Sequence, residues 1–360
     1  MPRAREVGVV IGSMPTGPTN SVLDVPGVGL GHATVVRDES PPPAGRGVAR
    51  TGVTTLLLAE DAYRRPLAAG GAVLNGAGEC TGFLTASEWG TVETPVYLTS
   101  TMQLGRVYDA ACRLAVEQDL EVAGDVVIPV VGECDDSFLS DCRRMQVSED
   151  DVRDAYRAAL ASRGAGAAPA EGSVGAGTGM SCLGFKGGIG TASRVTGAGT
   201  VAVLLLTNFG ERPQLTVAGV PVGRLVRTAP PGPRRPAGSC IGVVVTDAAV
   251  GGQDCGRLAR RVGLGLARTG SAAHHGSGEI FLAASTSARS DRDGTAEGGP
   301  RVSGRALDEV FEAVVEAAEE SVLNSMLQSA TTVGRDGNTS EGLDADVVLA
   351  LLQGAGRGRD

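Results

Sequence analysis

Six segments of the chain are short runs of apolar residues, many of them β-branched, bounded by glycine or polar residues. Runs of this length predict buried β-strands, because a strand inside a layered protein has apolar neighbours on both faces. Four longer segments repeat apolar residues every three or four positions, which predicts helices with one buried face. The predicted strands are 7–12, 52–59, 125–133, 199–208, 240–247 and 279–286, and the predicted helices are 106–120, 148–163, 255–269 and 305–330.

The order of these segments does not follow a strict alternation of strand and helix. It therefore favours an α/β architecture in which helices cover sheets in layers. The segments 164–172 and 289–301 have the composition of surface loops. The proline-rich stretch 227–238 predicts a linker, because proline interrupts both helices and central strands. Since no segment repeats, we expect one domain over 1–360.

The composition narrows the class of protein. With 360 residues, 42% hydrophobic and 20% charged, the chain has the length and balance of a soluble globular protein. A net charge of −9 argues against nucleic acid as a partner, since phosphate binding requires a basic surface. No apolar run approaches the ~18 residues needed to cross a bilayer, so no membrane partner is expected. Seven cysteines, an odd number, predict reduced thiols and a cytoplasmic location.

Histidine-based and cofactor-based chemistry has little support in the sequence. The chain has three histidines, His32, His274 and His275, and no serine lies in the G-x-S-x-G pattern of a hydrolase nucleophile. No cysteine or histidine spacing matches a zinc site, so no metal is expected. The glycine clusters 175–180 and 184–190 have neither the G-x-G-x-x-G nor the G-x-x-x-x-G-K-[ST] spacing of nucleotide-binding loops. They favour structural turns, and no cofactor is expected.

The junction of Gly238 and Ser239 offers a different nucleophile. The proline-rich stretch ends there, and a predicted core strand begins. If the peptide bond between the two residues is broken, Ser239 gains a free α-amine beside its hydroxyl group. An α-amine has a pKa of about 7.7–8, so one residue can supply both nucleophile and general base without histidine. From these residues alone, an ordinary junction of loop and strand remains the alternative.

Nine separated motifs run in order along nearly the whole chain. They are "LDVPGVGLGHATVV" (23–36), "RTGVTTLLL" (50–58), "GGAVLNGAGECTGF" (70–83), "TPVYLTSTMQLGRVYDA" (94–110), "EGSVGAGTGMSCLGFKGGIGTASRV" (171–195), "LLLTNFGERPQLTVAGVPVG" (204–223), "GSCIGVVVTDAAV" (238–250), "ARTGSAAHHGSGEIFLAAST" (267–286) and "ESVLNSMLQSATTVGRDGNTS" (320–340). Together they resemble the DmpA-like family of self-processing serine aminopeptidases, which includes L-aminopeptidase/D-esterases and β-peptidyl aminopeptidases. Any one motif is weak, but nine in order are specific.

The resemblance implies a fold and a maturation step. The fold is a four-layer αββα sandwich, similar to that of N-terminal nucleophile hydrolases although differently connected. The maturation step is autocatalytic cleavage of the single domain between Gly238 and Ser239. It would give an α chain, 1–238, and a β chain, 239–360. The resemblance also implies a homo-oligomer, a tetramer of αβ units.

The resemblance assigns catalytic roles to four residues. Ser239 matches the nucleophile, and Asn208, at the end of "LLLTN", matches the asparagine that stabilises the oxyanion. Ser277 and Glu279 match a serine–glutamate pair near the nucleophile, and their spacing puts both side chains on one side of a strand. Cys240, next to the nucleophile, points to the opposite face of its strand, and we expect it to lie in the core.

A second group of residues concerns the substrate. Glu133 matches the acidic residue with which resembling enzymes grip a substrate's free amine, and pairing with Arg143 or Arg144 is its alternative role. Family members often carry a tyrosine after this glutamate. Here the segment "ECDDSFLSD" has none, and Asp135 and Phe138 stand in its place as candidate substrate contacts. This departure bears on substrate preference.

The leading functional expectation is an aminopeptidase or amidase that removes the N-terminal residue from short peptides, amides or esters. That residue could be an α-, D- or β-aminoacyl group. One alternative is a hydrolase of non-protein amide oligomers. Another is an acyltransferase of the ornithine acetyltransferase type, although those enzymes use threonine at the equivalent junction. The last is an uncleaved scaffold without activity.

Overall fold

The computed structural model describes residues 1–226, 238–297 and 299–356, which form two main β-sheets covered by helices. The strands are β1 (Gly29–Asp38), β2 (Val48–Leu57), β3 (Leu67–Gly76), β4 (Thr91–Val92), β5 (Val96–Ser100), β6 (Val130–Cys134), β7 (Ser181–Cys182), β8 (Phe185–Lys186), β9 (Ile189–Thr196), β10 (Gly199–Asn208), β11 (Ser239–Thr246), β12 (Gly278–Ser290), β13 (Ala296–Glu297), β14 (Thr332–Val333) and β15 (Thr339–Ser340). The helices are α1 (Phe83–Glu88), α2 (Leu104–Gln118), α3 (Glu149–Ser162), α4 (Val222–Leu225), α5 (Gly252–Arg268), α6 (Leu307–Leu327) and α7 (Ala345–Gly354). Of the predicted linker, residues 227–237 lie outside the described residues.

The strand order brings the ends of distant segments together. One sheet has the order β1-β2-β5-β6, and the other has the order β4-β3-β12-β11-β10-β9 with β13 against β12. Strand β11 is antiparallel to β10 and parallel to β12. The start of β11, the start of β12 and the end of β10 therefore meet at one edge of the larger sheet.

Three apolar cores separate four layers. Ile241 and Val243 of β11 face the space between the two sheets, where they pack with residues such as Leu98 of β5. Cys240 and Val244 face the other way, into the core that α5 and α6 form with the larger sheet. Helices α2 and α3 cover the smaller sheet in the same manner. This arrangement confirms the four-layer αββα sandwich and the core position of Cys240.

The helix predictions are confirmed, whereas one strand prediction is wrong. The four predicted helices correspond to α2, α3, α5 and α6. The segment 7–12 forms no strand; a 3-10 turn occupies Arg5–Val7 and an irregular stretch follows. The carbonyl of Ile11 accepts hydrogen bonds from the side chains of Arg5 and the buried Arg194, so arginines satisfy this backbone in place of a neighbouring strand.

Two further expectations concern the membrane and the thiols. Among the described residues, no helix combines the length and the apolar character that crossing a bilayer requires. All seven cysteines are free, and most of them are buried. Burial raises the pKa of the Cys240 thiol well above its ordinary value, so this neighbour of Ser239 is a protonated core residue and not a nucleophile.

Candidate active site

Ser239 and Asn208 form the last pair of residues between β11 and β10. On its other side, Ser239 is in register with Gly278, the first residue of β12. Ser239 is 5% exposed and Asn208 is 7% exposed. Both side chains therefore lie at a sheet edge that is almost closed to solvent, where a polar group interacts more strongly than it does in water.

The residue before Ser239 has to be glycine. A Cβ atom on Gly238 would lie 2.1 Å from the carbonyl oxygen of Asn208, which is shorter than any real contact of that kind. The carbonyl oxygen of Gly238 accepts a hydrogen bond of 3.2 Å from the backbone N–H of Gly278. The carbonyl that would be attacked in self-cleavage is therefore held in place and polarised by the neighbouring strand.

The side-chain amide of Asn208 has a defined orientation. Its Oδ1 accepts from the backbone N–H of Ser181 at 2.9 Å, and its Nδ2 donates to the carbonyl of Asp135 at 2.8 Å. These partners fix which end of the amide is the donor. One of the two hydrogens on Nδ2 is used by Asp135, and the other is left for a second acceptor, such as the oxyanion of a tetrahedral intermediate.

Ser277 and Glu279 are directly bonded. The Ser277 hydroxyl donates to Oε1 of Glu279, and the other carboxylate oxygen, Oε2, is buried and has no hydrogen-bond partner among the described residues. Burial raises the pKa of Glu279, while the Ser277 hydroxyl and the nearby His274 act in the opposite direction. Glu279 is therefore a carboxylate with an elevated affinity for a proton, close to the start of β11.

The register separates Glu279 from the hydroxyl of Ser239. Glu279 is paired with Cys240, whereas Ser239 is paired with Gly278. Within the described part of the chain, no hydrogen bond joins Glu279 to the Ser239 side chain. Because its one hydrogen is given to Glu279, the Ser277 oxygen is left as an acceptor for another donor.

Glu133 is the penultimate residue of β6 and is only 2% exposed. Its Oε2 accepts from the Thr101 hydroxyl, and its Oε1 accepts from the backbone N–H of Glu79 at 2.8 Å. Burial raises the pKa of Glu133, and both donors lower it. In the part of the chain that the structure describes, Glu133 makes no ion pair. The nearby Arg143 instead binds Asp141, at 2.6 Å.

Glu133 lies across a small gap from the start of β12. A Cβ atom on Gly78 would lie 3.2 Å from Oε1 of Glu133 and 3.7 Å from the Cα atom of Gly278. The gap between this carboxylate and the residue paired with Ser239 is therefore slightly narrower than a methyl group needs. A cationic group of a bound substrate placed near this space would compensate the buried charge of Glu133.

Asp135 and Phe138 lie in the loop that follows Glu133. The carbonyl of Asp135 holds Asn208, and its carboxylate accepts from the backbone N–H of Ser137 at 2.8 Å. Phe138 is buried, and its carbonyl accepts from Nδ2 of Asn338 at 2.9 Å. Asp135 is thus hydrogen-bonded directly to the Asn208 amide, and the Phe138 side chain is buried.

A cluster beside the site contains the ligand types of a metal centre. One ligand atom from each of Asp135, Asp136 and Cys142 lies within 4.8 Å of the others. The Cys142 thiol already donates to Oδ1 of Asp136 at 3.7 Å. Burial raises the pKa of Asp136 to about 7 and that of Cys142 to about 12. Because the Cys142 thiol is the donor in this hydrogen bond, a metal ion at the cluster would have to displace its proton.

Sequence reasoning missed Asn75, Thr101 and Ser181, each of which contacts a site residue. Asn75 donates to the Ser277 carbonyl, Thr101 donates to Glu133, and Ser181 donates through its backbone to Asn208. All three lie inside quoted motifs, but their contacts cross between segments far apart in the chain. A sequence without side-chain geometry gives no signal for such contacts.

Comparison with known proteins gives a consistent result. The profile of peptidase family S58 matches residues 20–340. The chain is 36% identical to the β-peptidyl aminopeptidase BapA of Sphingosinicella microcystinivorans over 98% of this chain and 92% of the relative. Among solved structures, a Burkholderia sp. β-aminopeptidase superposes with a TM-score of 0.88 at 36% identity, covering 99% of each chain. The L-aminopeptidase D-Ala-esterase/amidase of Ochrobactrum anthropi, described as a variant of the Ntn hydrolase fold, superposes with a TM-score of 0.89 at 34% identity over the full length of both chains.

Proposed function

The chain belongs to peptidase family S58 and is a serine hydrolase of the aminopeptidase type, and we propose that Ser239, once it is freed by cleavage of the Gly238–Ser239 bond, is its catalytic nucleophile. One observation carries this proposal. Ser239 and Asn208 form a terminal strand pair beside a Gly238 carbonyl that already accepts a hydrogen bond. A nucleophile, an oxyanion donor and a polarised carbonyl thus meet at one point.

In the proposed maturation, the Ser239 hydroxyl oxygen attacks the carbonyl carbon of Gly238. Its proton passes through Ser277 towards Glu279, whose raised pKa suits it to accept a proton. The bond from Gly238 to the Ser239 nitrogen breaks, and that nitrogen takes up a proton and becomes the free amine. Water then hydrolyses the resulting ester, which restores the Ser239 hydroxyl and leaves a carboxylate on Gly238.

The same groups then serve substrate hydrolysis. The free α-amine of Ser239 takes the hydroxyl proton as the oxygen attacks the substrate carbonyl. The remaining N–H of Asn208 donates to the oxyanion, the leaving group takes a proton, and an acyl group stays on Ser239. Water attacks this ester and releases the product acid. No histidine takes part.

We propose that Glu133 binds the ammonium group of the substrate and makes the enzyme an exopeptidase. The carboxylate is almost fully buried and makes no ion pair among the described residues, although two donors hold it in place. A positively charged substrate amine would supply the missing cation, whereas an acetylated amine would leave the buried charge facing a neutral group.

The proposed substrates are short peptides, amides or esters with a free N-terminal amine, with β-aminoacyl groups preferred over α-aminoacyl groups. Two of the proteins that this chain is similar to are named for activity on β-peptides or β-amino acids. Hydrolysis of paired α- and β-aminoacyl nitroanilides, with acetylornithine as acyl donor in a third arm, tests the proposal. Faster release of nitroaniline from the β-aminoacyl substrate supports it, whereas faster release from the α-aminoacyl substrate, or transfer of the acetyl group to an added amine without hydrolysis, contradicts it.

We also propose a cellular location and an oligomeric state. The first is a cytoplasmic location, which agrees with seven free cysteines and needs a localisation experiment. The second is assembly into a tetramer of αβ units, which light scattering of the purified protein would measure. Neither is needed for the chemistry at Ser239.

A further inference from the structure

Asn75 contacts the turn that carries Ser277. Its Nδ2 lies 3.1 Å from the carbonyl oxygens of both His274 and His275, and it also donates to the carbonyl of Ser277. The turn is closed by the Ser277 N–H, which donates to His274 at 2.8 Å. Because carbonyl oxygens only accept, the nitrogen end of the Asn75 amide has to face them, and its orientation is fixed.

A β-bulge puts Asn75 in this position. Strands β3 and β12 are antiparallel, and their register shifts between Glu279 and Ile280. Ile280 is paired with Val73, whereas Glu279 is paired with Asn75, so Leu74 is an extra residue. Without the bulge, Leu74 would stand opposite Glu279 and Asn75 would stand opposite Gly278. Bulges beside active sites commonly re-aim a side chain in this way.

The peptide group between Ser277 and Gly278 is hydrogen-bonded on both sides. Its carbonyl accepts from Asn75, and its N–H donates to the carbonyl oxygen of Gly238 at 3.2 Å. Hydrogen bonds in a chain polarise one another, so the Asn75 amide strengthens the donor that meets the carbonyl of the bond to be cut. The Ser277 hydroxyl, on the same residue, is the one that donates to Glu279.

We propose that Asn75 is a positioning residue of the serine centre. It orients the Ser277–Gly278 peptide and the Ser277 hydroxyl through the three carbonyls of the turn, without contacting the substrate. The proposal rests on the function proposed above and extends it. Asn75 belongs to the 1–238 segment and Ser277 to the 239–360 segment, so the contact continues to hold the catalytic turn after the chain has been cut.

The test compares Asn75→Asp and Asn75→Ala with the wild type. Aspartate has nearly the same shape, but its ionised carboxylate has no donor and repels the three carbonyls. At about pH 8 we expect both variants to self-cleave about tenfold more slowly and to show a kcat lower by about the same factor, with KM little changed. As the pH falls towards about 4, near the ordinary aspartic acid pKa of about 3.9, a growing share of the new carboxyl is protonated and regains one donor, so the ratio of Asn75→Asp to wild type rises, while that of Asn75→Ala does not.

Asn324→Asp is the matched control. Asn324 also donates from Nδ2 to a buried carbonyl, that of Thr191, but it has no contact with the turn. We expect this variant to lower the melting temperature and to leave cleavage, kcat and their pH dependence unchanged in the folded protein. Thermal melts of all three variants show which of them are folded.

Two outcomes overturn the proposal. One is that folded Asn75→Asp cleaves itself and turns over substrate as fast as the wild type at about pH 8. The other is a deficit in both Asn75 variants that does not change with pH and that Asn324→Asp shares. If the wild type neither cleaves at Gly238–Ser239 nor hydrolyses aminoacyl nitroanilides, the function itself is wrong, which is a separate result.

Discussion

Asn208 and Ser239 are paired directly across β10 and β11, where β10 ends and β11 begins. The pairing holds the amide of one residue and the hydroxyl of the other at the same sheet edge. It forms only because 239–246 adds as a strand beside 199–208, although the proline-rich stretch separates the two in sequence. The geometry of the site is therefore set by the register of one antiparallel strand pair.

The first prediction concerns Asn208. Asn208→Ala removes one oxyanion donor, and we expect kcat of the cleaved enzyme to fall by roughly 10²–10³, with a much smaller change in KM. Steady-state kinetics on an aminoacyl nitroanilide measures both. Asn208→Asp tests the same point without loss of volume, because a carboxylate cannot donate. If either folded variant keeps wild-type kcat, Asn208 has no part in the mechanism.

The second prediction concerns Gly238. In Gly238→Ala the new Cβ would lie 2.1 Å from the Asn208 carbonyl, so the backbone has to shift and the bond from Gly278 to the Gly238 carbonyl weakens. We expect self-cleavage to slow by about tenfold or more. Once the chain is cut, residue 238 is no longer bonded to the nucleophile, and kcat per cleaved molecule should equal that of the wild type. A time course by denaturing gel electrophoresis with matched kinetics tests both halves. Unimpaired cleavage would show that the tight fit at residue 238 does not matter.

The third prediction concerns Glu133. The wild type should strongly prefer a free amine over an N-acetylated substrate, and Glu133→Gln should lose most of that preference. The loss should be about ten- to a hundredfold in kcat/KM for the free amine, which is the usual size for a hydrogen bond to a charged group. Thr101→Val serves as a comparison, since it removes a donor to Glu133 but keeps the charge. Equal rates on free and acetylated substrates in the wild type would indicate a general amidase.

The fourth prediction concerns acid stability. Burial lowers the pKa of His32 to about 4 from its ordinary 6.5, and its ring nitrogens contact the Thr54 hydroxyl and the Ala170 carbonyl. Between these two pH values the unfolded chain binds a proton that the folded protein does not. Stability that depends on neutral His32 is therefore lost as the pH falls from about 6.5 towards about 4. Melting temperatures over this range should fall less steeply in His32→Gln, and identical slopes would rule out a contribution from His32.

Much of the layered fold could be predicted from the sequence. Segments with a strong apolar period correctly predicted α2, α3, α5 and α6. The continuous apolar runs predicted β10 and β11 to within a residue or so of their ends. Strands β1, β3 and β9 were not predicted, because their many glycine and alanine residues give no apolar period. At Gly190 of β9, for example, a Cβ atom would lie 1.9 Å from the Ser321 carbonyl, so close packing against α6 selects glycine there.

Only those site residues that stand in the Gly238–Ser239 junction or in the family motifs with a known role could be predicted. The proposed nucleophile and its proposed partners follow from the Gly238–Ser239 junction and the family motifs, and the structure brings Ser239, Asn208, Ser277 and Glu133 to one region. The role of Asn75 could not be predicted. It depends on a one-residue bulge at Leu74, and a bulge has no signature in a strand pattern of alternating residues.

We propose that Ser239 becomes an N-terminal nucleophile when the chain cleaves its own Gly238–Ser239 bond. Intact mass under denaturing conditions tests it most directly, with the wild type and Ser239→Ala purified in the same way. We expect two wild-type masses, those of residues 1–238 and 239–360, and one full-length mass for the inactive Ser239→Ala. A wild type that remains a single active chain, or a Ser239→Ala variant that still splits at this bond, would contradict it.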